Sequence, residues 1–113
     1  MSNSQLALDP VHSIYKQAGV AATFSTPVYS TDRWTMVAIQ LNVTNAAAAN
    51  WSIQLEVSLD GVNWGAYGAA KAVTTNDVLP YNLIGLAFTQ VRLTATRTAG
   101  SADFEVLVAA KQG

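Results

Sequence analysis

Cysteine is absent from this 113-residue chain, which rules out a disulfide framework and a thiolate metal site. The fold must therefore rest on packing, alone or combined with assembly. Charge is scarce as well. Asp, Glu, Lys and Arg supply 12% of the residues, against about a quarter in an ordinary soluble domain. The six Lys and Arg residues are scattered from Lys16 to Lys111, so no basic face of the kind that nucleic-acid binding needs is visible. No apolar run approaches the roughly 20 residues that cross a bilayer, and no membrane partner is expected. The stretch MSNSQLALDPVHS has neither a basic leader nor a long apolar segment, so a secretory signal is not expected either. So few charges predict that much of the surface is buried against other chains, because interface cores are depleted in charge. The alternative is a monomer with a surface of Ser, Thr, Asn and Gln.

The catalytic inventory is equally thin. His12 is the single histidine, and Glu56 and Glu105 are the two glutamates. Nucleophilic catalysis needs a base oriented by a third group inside a rigid site, and a zinc site needs several His or Cys ligands. Paired carboxylates act as acid and base only when they flank a cleft, and solvated strand faces explain Glu56 and Glu105 more simply. No glycine-rich phosphate loop occurs. Asp60 and Asn63 alone offer too few oxygens for calcium. The sequons at Asn42-Val43-Thr44 and Asn50-Trp51-Ser52 read as chance matches. The expectation is a protein that is not an enzyme and uses no cofactor or metal.

What the chain does carry is alternation. In WTMVAIQLNV (34–43), Thr35, Val37, Ile39, Leu41 and Val43 share one face. In WSIQLEVSL (51–59), Trp51, Ile53, Leu55, Val57 and Leu59 oppose Ser52, Gln54, Glu56 and Ser58. Such a period of two over eight or nine residues predicts half-buried strands. TNAAAAN between them reads as a hairpin loop, since four alanines cannot nucleate a helix and the asparagines favour a turn. FTQVRLTATR (88–97) and DFEVLVAA (103–110) form a second pair, with TAGS between them read as a short hairpin. The second of these carries Leu107 and Ala109 opposite Phe104, Val106 and Val108, so it is partly covered on both faces. Weaker strands are expected at Val20 to Thr26 and Val78 to Leu86, the latter an edge or irregular strand because of Pro80.

With no sustained 3.6-residue period, the fold class is all-β: a single antiparallel β-sandwich, jelly-roll-like, over 20–113, with an extended N-terminal arm over 1–19. In that arm Leu6, Leu8, Val11, Ile14 and Tyr15 lie among polar residues. They suit a segment that adds a strand to a neighbouring sheet or lies in a groove, and a partly disordered terminus is the other reading. Trp34 falls opposite Val37 and Ile39 and is a further candidate contact with a partner or with the second side of the sandwich. In SLDGVNW (58–64), Asp60 and Gly61 supply turn geometry after the strand ending at Leu59. Trp64 either covers an end of the core or stacks on a sugar ring.

WSIQLEVSLDGVNW followed by FTQVRLTATRTAGSADFEVLVAA resembles the layout of small bacteriophage virion β-sandwich proteins. In these an S-x-D-G-x-x-W hairpin precedes an aromatic-x-x-V-R-L strand, and a glycine turn leads into a final V-x-V-x-A strand. The resemblance spans residues 34 to about 111. It implies a structural virion component, a capsid decoration (cement) protein that bridges neighbouring capsomers on the outer shell surface. Its implied partners are the major capsid protein and itself, as a homotrimer, after synthesis in the host cytoplasm. The same hairpin resembles discoidin-type sandwiches, which implies the alternative of a carbohydrate-binding module in a tail or adsorption apparatus. Another head–tail structural component is a third reading.

Overall fold

The computed structural model describes residues 8–85 and 87–112. Every regular element among them is a strand: β1 (Leu8–Val20), β2 (Phe24–Ser25), β3 (Tyr29–Ser30), β4 (Met36–Ser58), β5 (Gly65–Ala66), β6 (Lys71–Val73), β7 (Asp77–Ile84) and β8 (Gln90–Lys111). The two long strands form the spine. β4 and β8 pair antiparallel along their whole length, from Met36 opposite Lys111 to Ser58 opposite Gln90. Over the first half of β4, β1 adds to β8 and β7 adds to β4, giving the order β1-β8-β4-β7. Over the second half, β2 and β3 flank β8 while β5 and β6 flank β4.

This single sheet is folded over into two layers. Phe104 pairs with Val43, and Trp51 pairs with Arg97. Eight residues of straight strand would put Val43 and Trp51 about 26 Å apart. Yet the Trp51 and Phe104 rings meet edge to face with centroids 4.9 Å apart, and Phe24 touches both. The ribbon therefore bends back between these positions. Register shifts between Thr44 and Trp51 mark the corner, where Asn45 and Ala48 take positive φ and Gly100 takes φ 72°. Bulges and left-handed residues are the usual means by which a strand passes from one layer to the next. Asp103 braces the corner. Its carboxylate accepts from the Gly19 backbone at 2.8 Å and from the Asn45 amide at 2.7 Å.

The alternating residues meet between the layers. Val37, Ile39, Leu41, Val43, Phe104, Val106 and Val108 from one layer and Trp51, Ile53, Leu55, Val57, Val91, Leu93 and Ala95 from the other form one buried core. The far end, opposite the corner, is closed by the loop before β4. Buried Thr31 donates its N–H to Thr89 O at 2.7 Å and its hydroxyl to Phe88 O at 2.6 Å, and Thr35 N donates to Lys111 O at 3.3 Å.

The all-β antiparallel fold is the one expected, but its connections differ. TNAAAAN and TAGS are not hairpins. They are the two sides of one corner, and Ala47 opposite Ser101 and Asn50 opposite Ala99 carry the β4–β8 ladder through it. A residue with positive φ suits a turn and a bulge equally, so only the long-range pairing distinguishes them. Of the segment expected as an arm, Leu8 onward is strand β1 of the chain's own sheet, with register shifts that break it into short runs. Trp34 precedes β4 rather than belonging to it. Leu59 leaves the inward row, and Ser58 is buried instead. β7, with Pro80 at its middle, is an edge strand that among the described residues pairs only with β4.

Candidate interaction surfaces

The outer face of the second layer is a closed polar network. Glu56 and Arg92 are cross-strand partners, and Arg92 Nε donates to Glu56 Oε1 at 2.8 Å. Thr94 donates to the same oxygen at 2.6 Å, and its hydroxyl is 2.8 Å from that of Ser25. Burial raises the Glu56 carboxyl, but these hydrogen bonds and the Arg92 charge outweigh it and hold the group below its usual range. The Arg92 guanidinium also lies 4.2 Å from the centre of the Trp64 ring. Trp64 therefore sits on this outer face, against an arginine, rather than over the end of the core. Glu56, not Glu105, is thus the glutamate that meets Arg92.

SLDGVNW reverses the chain from β4 into β5. Asp60 Oδ1 accepts from the backbone of Val62 at 2.9 Å and of Asn63 at 2.8 Å, and Oδ2 accepts from the Asn63 amide at 2.8 Å. Ser58 Oγ accepts from Gly61 N at 2.8 Å and reaches the Asn63 carbonyl at 2.8 Å, which explains why a serine is buried at the strand's end. Donation from Asn63 and Val62 first, then from the side chains of Asn63 and Ser58, holds the Asp60 carboxyl well below its usual range. Both carboxylate oxygens are engaged within the turn. Its apolar members point out: Leu59 is 65% and Val62 78% exposed.

His12 belongs to a small cluster that joins the two layers at the end remote from the corner. Tyr29 of β3 donates its hydroxyl to Asp9 of β1. His12 Nδ1 lies 3.6 Å from Asp9 Oδ1 and 2.9 Å from the Pro10 carbonyl. Burial first, then the hydrogen bond and charge of Asp9, keep the Tyr29 phenol well above its ordinary range, so it stays a donor. The arrangement is a clasp between strands. No group of three or more His, Cys, Asp or Glu able to hold a metal occurs among the described residues.

The outer face of the first layer is polar around Gln40, Asn42 and Glu105 and apolar at the end remote from the corner. Register places Leu8 beside Lys111, Met36 beside Ile84, and Ala38 opposite Ala109, all on this side. Leu8, Val11 and Ile84 are 66%, 70% and 69% exposed. They rim a trough of about 620 Å³ whose floor is Ala38 and Ala109. Of the expected contact residues, Leu8 and Val11 are thus brought together on an open surface, and Leu6 lies outside the described residues. Ile14 and Tyr15 pack against the core, Tyr15 stacked on Phe24 with centroids 4.9 Å apart. Trp34 is half-buried against the core with the Arg33 guanidinium 5.1 Å from its ring centre. Sequence reasoning missed Met36, Ala38 and Ile84. The signal available was the second apolar face of DFEVLVAA, with Leu107 and Ala109, which this surface explains.

No known protein family matches the chain, and no curated protein is similar to it in sequence. Solved structures share its fold. The crystal structure of the SPBc2 prophage-derived protein YomS superposes with a TM-score of 0.67 at 6% identity, covering 99% of both chains. A structure described as a Bacillus endospore appendage, from a family of disulfide-linked pili, gives 0.57 at 13% identity, covering 100% of this chain and 96% of that one. A structure of infectious bursal disease virus, Gx strain, gives 0.56 at 13% identity over 98% of this chain, which spans 34% of the viral one. At these identities the likeness is one of fold: a folded-over antiparallel sheet found in a prophage protein, a spore pilus and a virus.

Proposed function

We propose that this chain is a non-catalytic structural component of a virion, a capsid decoration protein that binds the assembled shell and bridges neighbouring capsomers. The observation that carries this reading is the division of its surface. One outer face carries a completed polar network around Glu56 and Arg92, and one end of the other carries a trough rimmed by the exposed Leu8, Val11 and Ile84. A surface so divided suits a subunit held against other protein. The fold shared with a prophage protein along the full length of both chains supports a phage particle as the setting. The major capsid protein is the partner in this reading, and the outer shell surface is the location. Modest contacts suffice there, because repetition over a shell sums them.

The test is co-sedimentation of the purified protein with expanded, undecorated capsids of the phage that encodes it. Saturable binding with a fixed ratio to capsid protein is expected. Protein that stays in the supernatant with capsids, but is found by electron microscopy in the tail, would replace this reading with that of a tail component.

A further inference from the structure

We infer that β1 is exchanged between copies of this chain: its 8–17 run leaves its own β8 and pairs with the β8 of a second copy. β1 is the one long strand described that contributes no buried residue, whereas β4, β7 and β8 all do. Three register shifts break its pairing with β8 into short runs, and the last, between Gln17 and Val20, ends the exchanged segment. Among the described residues it pairs with no other strand. A strand so lightly embedded is among the first parts of a fold to open.

The joint lies at the corner. β1, β2 and β3 follow one another along the same edge of β8, from Leu8 opposite Lys111 to Ser30 opposite Gln90. Past the corner this edge is fastened. Thr23 Oγ1 accepts from Arg97 N at 2.9 Å, and buried Thr26 makes two hydrogen bonds with the Leu93 backbone, at 2.9 and 3.0 Å. Residues 18–22, between the two parts, are exposed except for half-buried Val20. Gly19 bends this link with φ 61°, and a methyl group added to it would meet nothing within 4 Å. Conformation and not space therefore calls for glycine there. Straightening the link releases that left-handed turn and swings β1 outward.

The slot that β1 vacates matches one segment, the β1 of another copy. There Tyr15 again stacks on a Phe24, Asp9 again takes a Tyr29 hydroxyl, and the β8 ladder is restored in the same register. No new contact is required, which makes exchange of an identical element a low-cost route to association. Reciprocal exchange gives a twofold pair with no edge of β8 left open. The pairing needs only this chain, so it holds or fails independently of the shell-binding role.

A chain without cysteine allows a direct test. Lys16 and Glu105 are cross-strand partners between β1 and β8. Lys16→Cys and Glu105→Cys chains are made separately, incubated together at high concentration, then diluted and gently oxidised. Exchange brings the two thiols opposite one another, so disulfide-linked heterodimers should exceed the statistical mixture several-fold. Lys16→Cys mixed with Thr96→Cys, which places the thiol on the second layer, should give the statistical mixture. Gly19→Val, in the otherwise unchanged chain, disfavours the bent link and should raise the dimer fraction several-fold by light scattering. Heterodimers at the statistical share, or a folded Gly19→Val chain that stays a monomer, would overturn the inference. If Gly19→Val does not fold, the cysteine pair decides alone.

Discussion

Gly100 passes so close to Ala47 that a methyl group added to it would lie 2.3 Å from the Ala47 carbonyl oxygen, and as near to that of Ala48. Both neighbours are backbone, so neither can swing aside. The position also has φ 72°. Gly100→Ala should therefore combine left-handed strain with backbone displacement at the corner, costing about 3 kcal/mol or more. At Gly61, with φ 75°, an added methyl would meet only the end of the Gln90 side chain. Gly61→Ala should cost about 1–2 kcal/mol from strain alone. Urea denaturation midpoints of the two variants would check the order, and equal effects would contradict the corner.

Trp51 is almost fully buried, and its Nε1 finds no hydrogen-bond partner among the described residues. An orphaned buried donor costs about 1–3 kcal/mol. Trp51→Phe removes that penalty while losing part of the contacts with Phe24 and Phe104, so it should change stability by no more than about 1 kcal/mol. Trp51→Ala leaves a cavity between the layers and should cost about 3–5 kcal/mol. Thermal unfolding of the two variants separates a space-filling role from one that needs the indole N–H.

Arg92 holds Trp64 and Glu56 at once, through stacking and a hydrogen bond. Both charged partners are partly solvated, so the ion pair adds no more than about 1 kcal/mol, with about 0.5–1 kcal/mol from the ring. Arg92→Ala and Trp64→Ala should each be mildly destabilising, and the double variant less so than their sum by about 0.5–1 kcal/mol. Arg92→Lys should recover little, because a point charge lacks the flat guanidinium that stacks. A double-mutant cycle in denaturant measures the coupling.

Acid should weaken the fold through Asp60 and Asp103. Backbone and side-chain donors at the turn hold the first below its usual range, and Asn45 and Gly19 do the same for the second. A carboxyl depressed in the folded state stabilises it fully above the unfolded pKa, about 3.9. As the pH falls below that value the unfolded chain takes up protons first, and the advantage disappears through the folded pKa. Stability should therefore decline steadily below about pH 4. The fall should be shallower in Asp60→Asn and Asp103→Asn, as followed by urea midpoints across that range.

Strand existence and facing were legible wherever one side of a strand meets the core. Val37 through Val43, Trp51 through Val57 and Phe104 through Val108 face inward as their period of two requires. Leu107 and Ala109 were also visible as a second apolar face, although not what that face forms. The turn was legible as a turn, but the exposure of Leu59 and Val62 at its tip was not. The alternation that places Leu59 in the inward row stops applying once Ser58 is drawn into hydrogen bonds with Gly61 and Asn63. Trp64 was hidden for a related reason, since its partner Arg92 lies on another strand with no local link to it.

Local chemistry therefore determined which residues form strands, which side of each is apolar and where the chain leaves regular pairing. Periodicity and positive φ are properties of a few neighbouring residues, and they can be read from those residues alone. The tertiary structure decided whether TNAAAAN and TAGS end a strand or bend one, because the same backbone angles serve a reversal and a corner. Only the ladder between β4 and β8, joining residues about fifty positions apart, selects the corner. From that choice follow the two layers, the clasp between Tyr29 and Asp9, and the trough that no single strand contains.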